Sequence, residues 1–245
     1  MPVIVELRLK APRPVRPDTR QLHGLACALF EGQDAAHLSQ DKPFAMWPLS
    51  PAPGTAGQEW LLHAAWLPDG QPPTSVAGPD ALRLGAVTCA ITETVHRAAT
   101  HAQLAAGTPC GSARLTFRSA TYFSQNGADT VLPDPRLIVG SWRRRWNASL
   151  PEGHALAVTD DAWREIHRAA RLASFALRTE SMDSGRARAR EGFAGTAMIR
   201  LAGTESAAAR CTFGTLARFA EFCGTGAQTT HGFGATSVIT RARGS

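Results

Sequence analysis

The chain has 245 residues, 44% hydrophobic and 19% charged, which suffices for one large domain or two ordinary ones and excludes a disordered chain. Its net charge of +6 permits a polyanionic partner. Five cysteines, an odd number without a C-x-x-C pair, argue against a disulfide framework and a zinc ribbon. The sequence has no signal-peptide pattern and no apolar run of about 18 residues, so we expect a cytoplasmic protein without a membrane span.

The first part of the chain predicts the element order β-α-β-β-α-β. Val3 to Lys10 alternates apolar and charged residues, as a half-buried strand does. Asp18 offers an N-cap to a helix that stops near Gly32. The other predicted elements are strands over Pro43–Leu49 and Glu59–Leu67, a helix over Asp80–Val87 and a strand over Cys89–Ala98. This order is typical of the split ferredoxin-like unit.

The same order recurs after a turn-rich stretch of small residues at 105–109. The predicted elements there are a strand over Ser112–Tyr122, helices from Asp134 and over Asp160–Ala170, a hairpin of Leu172–Glu180 with Gly192–Leu201, a helix over Thr204–Phe222 and a strand over Ala235–Thr240. We therefore predict an α+β fold of two tandem ferredoxin-like (βαββαβ) domains, covering residues 1–106 and 107–245.

A glycine-rich loop separates the last predicted helix from the last strand. Its glycines are Gly224, Gly226, Gly232 and Gly234. Backbone N–H groups in such a loop can form an anion-binding nest, although the C-terminal end of the preceding helix repels phosphate. The loop is not a Walker A motif, because no Lys-Ser/Thr follows it. A plain helix-to-strand turn is the alternative interpretation.

The loop ends in Gly-Phe-Gly just before the final strand, and residues 132–147, LPDPRLIVGSWRRRWN, follow a strand that ends near 119–123. In these features the chain resembles the repeat-processing endoribonucleases of the RAMP superfamily of CRISPR proteins, which act in antiviral defence. The resemblance implies cleavage of CRISPR repeat RNA in a precursor transcript by 2′-hydroxyl attack, with neither metal nor cofactor. It implies 5′-hydroxyl and 2′,3′-cyclic phosphate products, and RNA contact by the four loop glycines.

Metal-free RNA cleavage needs a general base and a general acid, and histidine suits either task. In the family that the chain resembles, the catalytic histidine follows the first helix and a lysine follows a few residues later. His37 and Lys42 match that arrangement here. His23, which could be a helix-surface residue, and His231 in the glycine loop are further candidates. Some members add a tyrosine in the first helix, but the sole tyrosine is Tyr122, so a third catalytic group stays unassigned.

Two arginine clusters predict an RNA-binding surface, because arginine forms bidentate contacts with phosphate. RNA contacts are predicted for Arg143, Arg144, Arg186, Arg188 and Arg190. Trp142 and Trp146, four residues apart on one helix, are predicted to pack in the core. The expected partner is a stem-loop repeat RNA, joined by CRISPR effector subunits if the product stays bound; neither DNA nor a membrane is expected to bind directly.

Two alternatives stay open. One is a non-catalytic guide-RNA scaffold of the same superfamily, which shares the glycine loop and needs no histidine after the first helix. The other is a ferredoxin-like enzyme or binding module for a small anion. That module would lack the steep salt dependence of RNA binding.

Overall fold

The computed structural model describes residues 1–31, 42–55, 59–70, 80–183, 189–203 and 206–241. Its larger sheets are both antiparallel, one formed before residue 99 and one after residue 111. The first set of elements is β1 (Val3–Lys10), α1 (Thr19–Phe30), β2 (Phe44–Met46), β3 (Ser50–Pro51), β4 (Glu59–Trp66), β5 (Ala81–Leu84), β6 (Val87–Ala98) and α2 (His101–Ala105). The second set is β7 (Ser112–Thr121), β8 (Phe123–Gln125), β9 (Ala128–Thr130), α3 (Pro135–Ala148), α4 (Asp160–Ala169), β10 (Ala170–Met182), β11 (Arg190–Leu201), α5 (Ala207–Cys223) and β12 (Thr236–Arg241).

The first sheet has β1 at its centre. The strand order is β2-β4-β1-β6-β5, and β1 pairs antiparallel with both β4 and β6. The alternation along β1 buries Val5, Leu7 and Leu9 in a core that they share with Leu22 and Leu25 of α1. Helix α1 begins with a capping box in which Asp18 accepts from the backbone of Gln21. The first strand and helix are thus as the sequence predicts.

The helix predicted over Asp80–Val87 is wrong. This segment contains strand β5, which pairs with the start of β6. Leu82 and Leu84 are buried while Ala81 and Arg83 are exposed, which is the two-residue period of a strand. Gly85, at φ +60, makes the turn between the two strands. The segment is too short for its apolar spacing to distinguish a helix from a strand, and only its alternation fits the strand.

The second sheet has the complete ferredoxin-like strand order, β10-β11-β7-β12. Helices α3 and α5 pack on one face of it, and Trp142 and Trp146 of α3 are fully buried, with Trp146 edge-on to Phe219. The structure therefore confirms the tandem ferredoxin-like architecture and the core placement of both tryptophans. None of the helices in the described ranges is long and apolar enough to cross a membrane.

The second half of the chain also covers the back of the first sheet. Ile4, Ala45 and Ala65 point away from α1 and belong to the same hydrophobic core as Phe213 and Phe219 of α5. Arg145 is among the side chains that bridge the two halves by hydrogen bonds. The guanidinium of Arg145, on α3, donates to the backbone carbonyls of Lys42 at 3.1 Å and Phe44 at 2.6 Å.

We expect Arg145→Ala to lower the free energy of unfolding by about 2–3 kcal/mol, because it leaves two carbonyls without their charged donor. Arg144→Ala is the matched control. Arg144 is the adjacent residue, is exposed and lies on the same helix, so its loss should change stability by less than about 0.5 kcal/mol. Urea denaturation of both variants measures the difference, and equal effects would show that the bridge contributes nothing.

Candidate active site

The side chains that could transfer protons meet where α1 touches the glycine-rich loop. The rings of His23, on α1, and His231, in the loop, stack with centroids 3.9 Å apart and an angle of 4° between their planes. The loop forms a 3-10 turn at Thr229–His231, and the carbonyl of Thr230 lies 3.3 Å from Nδ1 of His23. The structure therefore brings together two histidines that are 208 positions apart in the sequence.

The contacts of His23 decide which of its nitrogens can act as a base. A carbonyl only accepts hydrogen bonds, so Nδ1 must donate to Thr230 and carry the proton. In the neutral ring, Nε2 then bears the lone pair; it lies 3.6 Å from Sγ of Cys27. Burial lowers the pKa of His23 below its ordinary 6.5, against the raising effect of the Thr230 carbonyl. His23 is thus held neutral with its basic nitrogen defined.

The stacking adds a second constraint on charge. Two protonated rings at this separation repel each other, so the pair favours a state with one neutral ring. Because burial lowers the pKa of His23, that ring is the member of the pair that favours the neutral state. One neutral and one protonated imidazole is the combination that general base and general acid catalysis requires.

Lys42 lies near the two stacked histidines and forms a buried ion pair with Glu31. Its Nζ contacts the carboxylate of Glu31, and the two side chains are 9% and 4% exposed. The lysine charge is thus already matched by a carboxylate, which reduces what it can offer to a phosphate. Its proposed role on the reacting phosphate stays a prediction. His37, the main candidate for acid or base, lies outside the described residues.

The four loop glycines are buried, and their visible role is close packing. A Cβ on Gly234, at φ +68, would stand 1.9 Å from the carbonyl oxygen of Thr225, and one on Gly226 would stand 2.3 Å from that of Tyr122. The loop is tied to α3, because the amide of Gly226 donates to Oγ of Ser141 and the indole of Trp142 donates to Thr225. RNA contact by the glycines stays a prediction, since these contacts are all within the protein.

The predicted RNA-binding arginines fall into three groups. Arg144 is exposed, whereas Arg143 is half-buried and pairs with Asp160. Arg190 donates to the hydroxyl of Tyr122 at 2.9 Å and pairs with Asp129 at 3.2 Å. These partners orient Arg190 and occupy part of its guanidinium. Arg186 and Arg188 lie outside the described residues.

A further buried histidine holds the two halves together. Nε2 of His101, on α2, lies 2.8 Å from Oγ of Ser149, whose hydroxyl donates to the carbonyl of Trp146. His101 is 1% exposed, so substrate cannot reach this Ser–His pair. Within the described part of the chain, no group of three or more His, Cys, Asp or Glu side chains is placed to hold a metal ion.

Comparison with known proteins gives a consistent picture. Residues 115–236 match the family model described as CRISPR-associated endoribonuclease Cas6. No curated protein sequence matches the chain. The chain is similar in structure to a product complex of a Thermus thermophilus Cas6 protein. The match covers 98% of this chain and 100% of that one, with 27% sequence identity and a TM-score of 0.83.

Two further solved structures are similar in fold. A second Cas6 protein in a product complex is 22% identical, with a TM-score of 0.79, and the match covers 97% of this chain and 100% of that one. The product of a Cas6-related gene from Pyrococcus furiosus is 11% identical, with a TM-score of 0.58. That match covers 98% of this chain and 99% of the other. The tandem architecture therefore extends over the entire matched length.

Proposed function

Because the chain belongs to the family of CRISPR-associated endoribonucleases called Cas6, we propose that it cuts CRISPR repeat RNA by metal-independent transesterification. The 2′-hydroxyl oxygen attacks the adjacent phosphorus, and the bond from phosphorus to the 5′ oxygen breaks. The products are a 2′,3′-cyclic phosphate and a 5′-hydroxyl, and no water or metal is consumed. The proposal places the protein in the cytoplasm, with the precursor guide RNA.

The observation that carries this proposal is the stacked pair of His23 and His231. We assign Nε2 of His23 to removal of the 2′-hydroxyl proton and the ring of His231 to protonation of the leaving 5′ oxygen. His37, which the resemblance to the family implies, is the alternative proton donor or acceptor. Lys42 is assigned to the charge that builds on the phosphorane.

RNA binding is proposed for the arginines and for the loop that carries His231. The similar solved structures include a product complex and a substrate-mimic complex of Cas6 proteins, which supports an RNA substrate here. The exposed Arg144 and the half-buried Arg143 would contact phosphates, together with Arg186, Arg188 and Arg190. A stem-loop repeat is the expected partner, because A-form RNA is recognised through its backbone and its unpaired bases.

The test is a cleavage assay with a matched repeat RNA in EDTA, comparing the wild-type protein with His37→Ala. Cutting by the wild type in chelator supports a metal-independent nuclease. Loss of cutting in the variant, with binding retained, assigns the chemistry to His37, whereas retained cutting leaves it with His23 and His231. Tight binding without cutting by the wild type would favour the alternative, a non-catalytic guide-RNA scaffold.

The pH dependence follows from the lowered pKa of His23. A general base acts only when it is unprotonated, and burial keeps His23 unprotonated to below pH 6.5. We therefore expect the acid limb of the single-turnover rate, where the rate falls because the base becomes protonated, to lie below pH 6.5. Rates measured at saturating protein between about pH 5 and about pH 8 define this limb. A limb centred above the ordinary histidine value would contradict the assignment of His23 as the base.

A further inference from the structure

A concavity separate from the histidine pair lies between α3, α4, β8 and the glycine-rich loop. It is an open cleft of about 600 Å³, within the size range of pockets that hold small ligands. Phe123 and Trp163 lie on its walls, Gly140 and Ser141 of α3 line it, and Gly226 and Ala227 of the loop complete the lining. Of the proton-transfer candidates that the structure describes, neither His23 nor His231 lines this cleft.

One face of α3 supplies positive charge to the cleft. Arg136, Gly140 and Arg144 follow one another at intervals of four residues, which places them along one side of the helix. Arg136 and Arg144 are both exposed, and neither is paired with a carboxylate among the residues that the structure describes. Two guanidinium groups on one face suit the phosphates of a nucleotide.

An aromatic ring lies within reach of this charge. The indole of Trp163, on α4, is half-buried; the guanidinium of Arg143 lies 5.5 Å from its ring centroid, and the ring of His167 meets it edge-on. Gly140 leaves space in front of it, because a Cβ there would stand 3.4 Å from the indole. A glycine inside a helix lowers stability relative to alanine. This position therefore keeps the cleft open at a cost to the helix.

We propose that the cleft binds one unpaired nucleotide of the RNA, with its base against Trp163 and neighbouring phosphates at Arg136 and Arg144. The proposal rests on the proposed function, since it takes RNA as the ligand. The bound nucleotide lies near the cut, because Ala227 in the cleft wall and His231 are four residues apart. Four residues span at most about 14 Å of chain.

The experiment uses a repeat RNA that cannot be cut, because it carries a 2′-deoxy sugar at the cleavage nucleotide. Abasic positions replace its unpaired nucleotides one at a time, and fluorescence anisotropy in EDTA gives the dissociation constants. The proteins are the wild type, Trp163→Ala, Trp163→Phe and Gly140→Leu. Gly140→Leu deletes no contact and improves helix propensity, so it fills the cleft in a protein that folds even if Trp163→Ala does not.

We expect Trp163→Ala and Gly140→Leu to weaken binding about tenfold, as loss of one stacked base does, and Trp163→Phe to weaken it far less. One abasic RNA should bind all four proteins equally, and it identifies the nucleotide in the cleft. Arg144→Ala should reduce the slope of affinity against salt by about one. Arg83→Ala, which removes an exposed charge from β5 in the first sheet, is the matched control and should leave the slope unchanged.

The proposal is overturned if Trp163→Ala and Gly140→Leu bind every RNA like the wild type, or if their losses are the same for all abasic positions. Binding of 5′-AMP by the wild type as tightly as RNA would make the cleft a mononucleotide site and overturn it too. Because no cleavage is measured, a protein that binds without cutting still tests the cleft. If the wild type cuts RNA in the cleavage assay described under the proposed function and Trp163→Ala binds like the wild type here, only the cleft assignment is removed.

Discussion

His231→Ala and His23→Ala each slow cleavage of the repeat RNA by about 10²- to 10⁴-fold at saturating protein, the range typical of one general acid or base. The two rings stack 3.9 Å apart, so either substitution also removes the neighbour that tunes the charge of the other. For this reason the double variant should be slower than the single ones by much less than the product of their effects.

The measurement is a single-turnover rate in EDTA, with binding of the uncleavable RNA measured in parallel. His96→Ala is the control, because His96 is exposed on β6 and has no assigned role. Unchanged affinity with a lost rate places both histidines in the chemistry. Loss of affinity in proportion to the rate would make them RNA contacts, and wild-type rates would leave the chemistry with His37.

Gly234→Ala destabilises the protein by about 3–5 kcal/mol and abolishes cleavage, because it strikes the segment that positions His231. The substituted Cβ would lie 1.9 Å from the Thr225 carbonyl oxygen, and φ is +68, where side chains are disfavoured. The amide of Thr225 donates to the Gly234 carbonyl at 2.8 Å. The two segments of the loop therefore cannot move apart to relieve the collision without breaking this hydrogen bond.

Gly54→Ala separates the two causes. Gly54 has φ +77 and nothing within 4 Å of the added Cβ, so it carries the backbone strain without the collision and should cost about 1 kcal/mol. Urea denaturation and the cleavage rate of both variants give the comparison. Similar losses for the two glycines would show that positive φ, and not close packing, is what the loop requires.

Much of the fold could be predicted because its signals are local. A few neighbouring residues determine each of these signals: the alternation of β1, the Asp18 and Asp134 caps and the Pro135 start of α3. The helix predicted at 80–87 is wrong because a four-residue element with Leu82 and Leu84 is too short to separate the period of a helix from that of a strand. Tertiary pairing with β6 decides it, and pairing partners are not visible in a single segment.

The candidate site was less predictable, because it depends on which loops meet. Each of the two histidines could be named from the sequence, but their stacking depends on α1 docking against the glycine-rich loop. Nothing in the local pattern of Lys42 indicates its buried pairing with Glu31. Likewise Arg144 and Arg145 are adjacent residues of the same type. Only the packing of β2 against α3 gives Arg145 its two carbonyl partners.

The core shared by the two halves, described above through Ile4, Ala45 and Ala65, makes the nuclease an interface enzyme within one polypeptide. The proposed proton acceptor, His23, and the proposed donor, His231, belong to different lobes, so their stacking requires the two lobes to pack against each other. On this assignment, a small separation of the two lobes would stop cleavage while every strand and helix stayed intact. The cleavage rate would therefore detect such a separation that a measurement of secondary structure would miss.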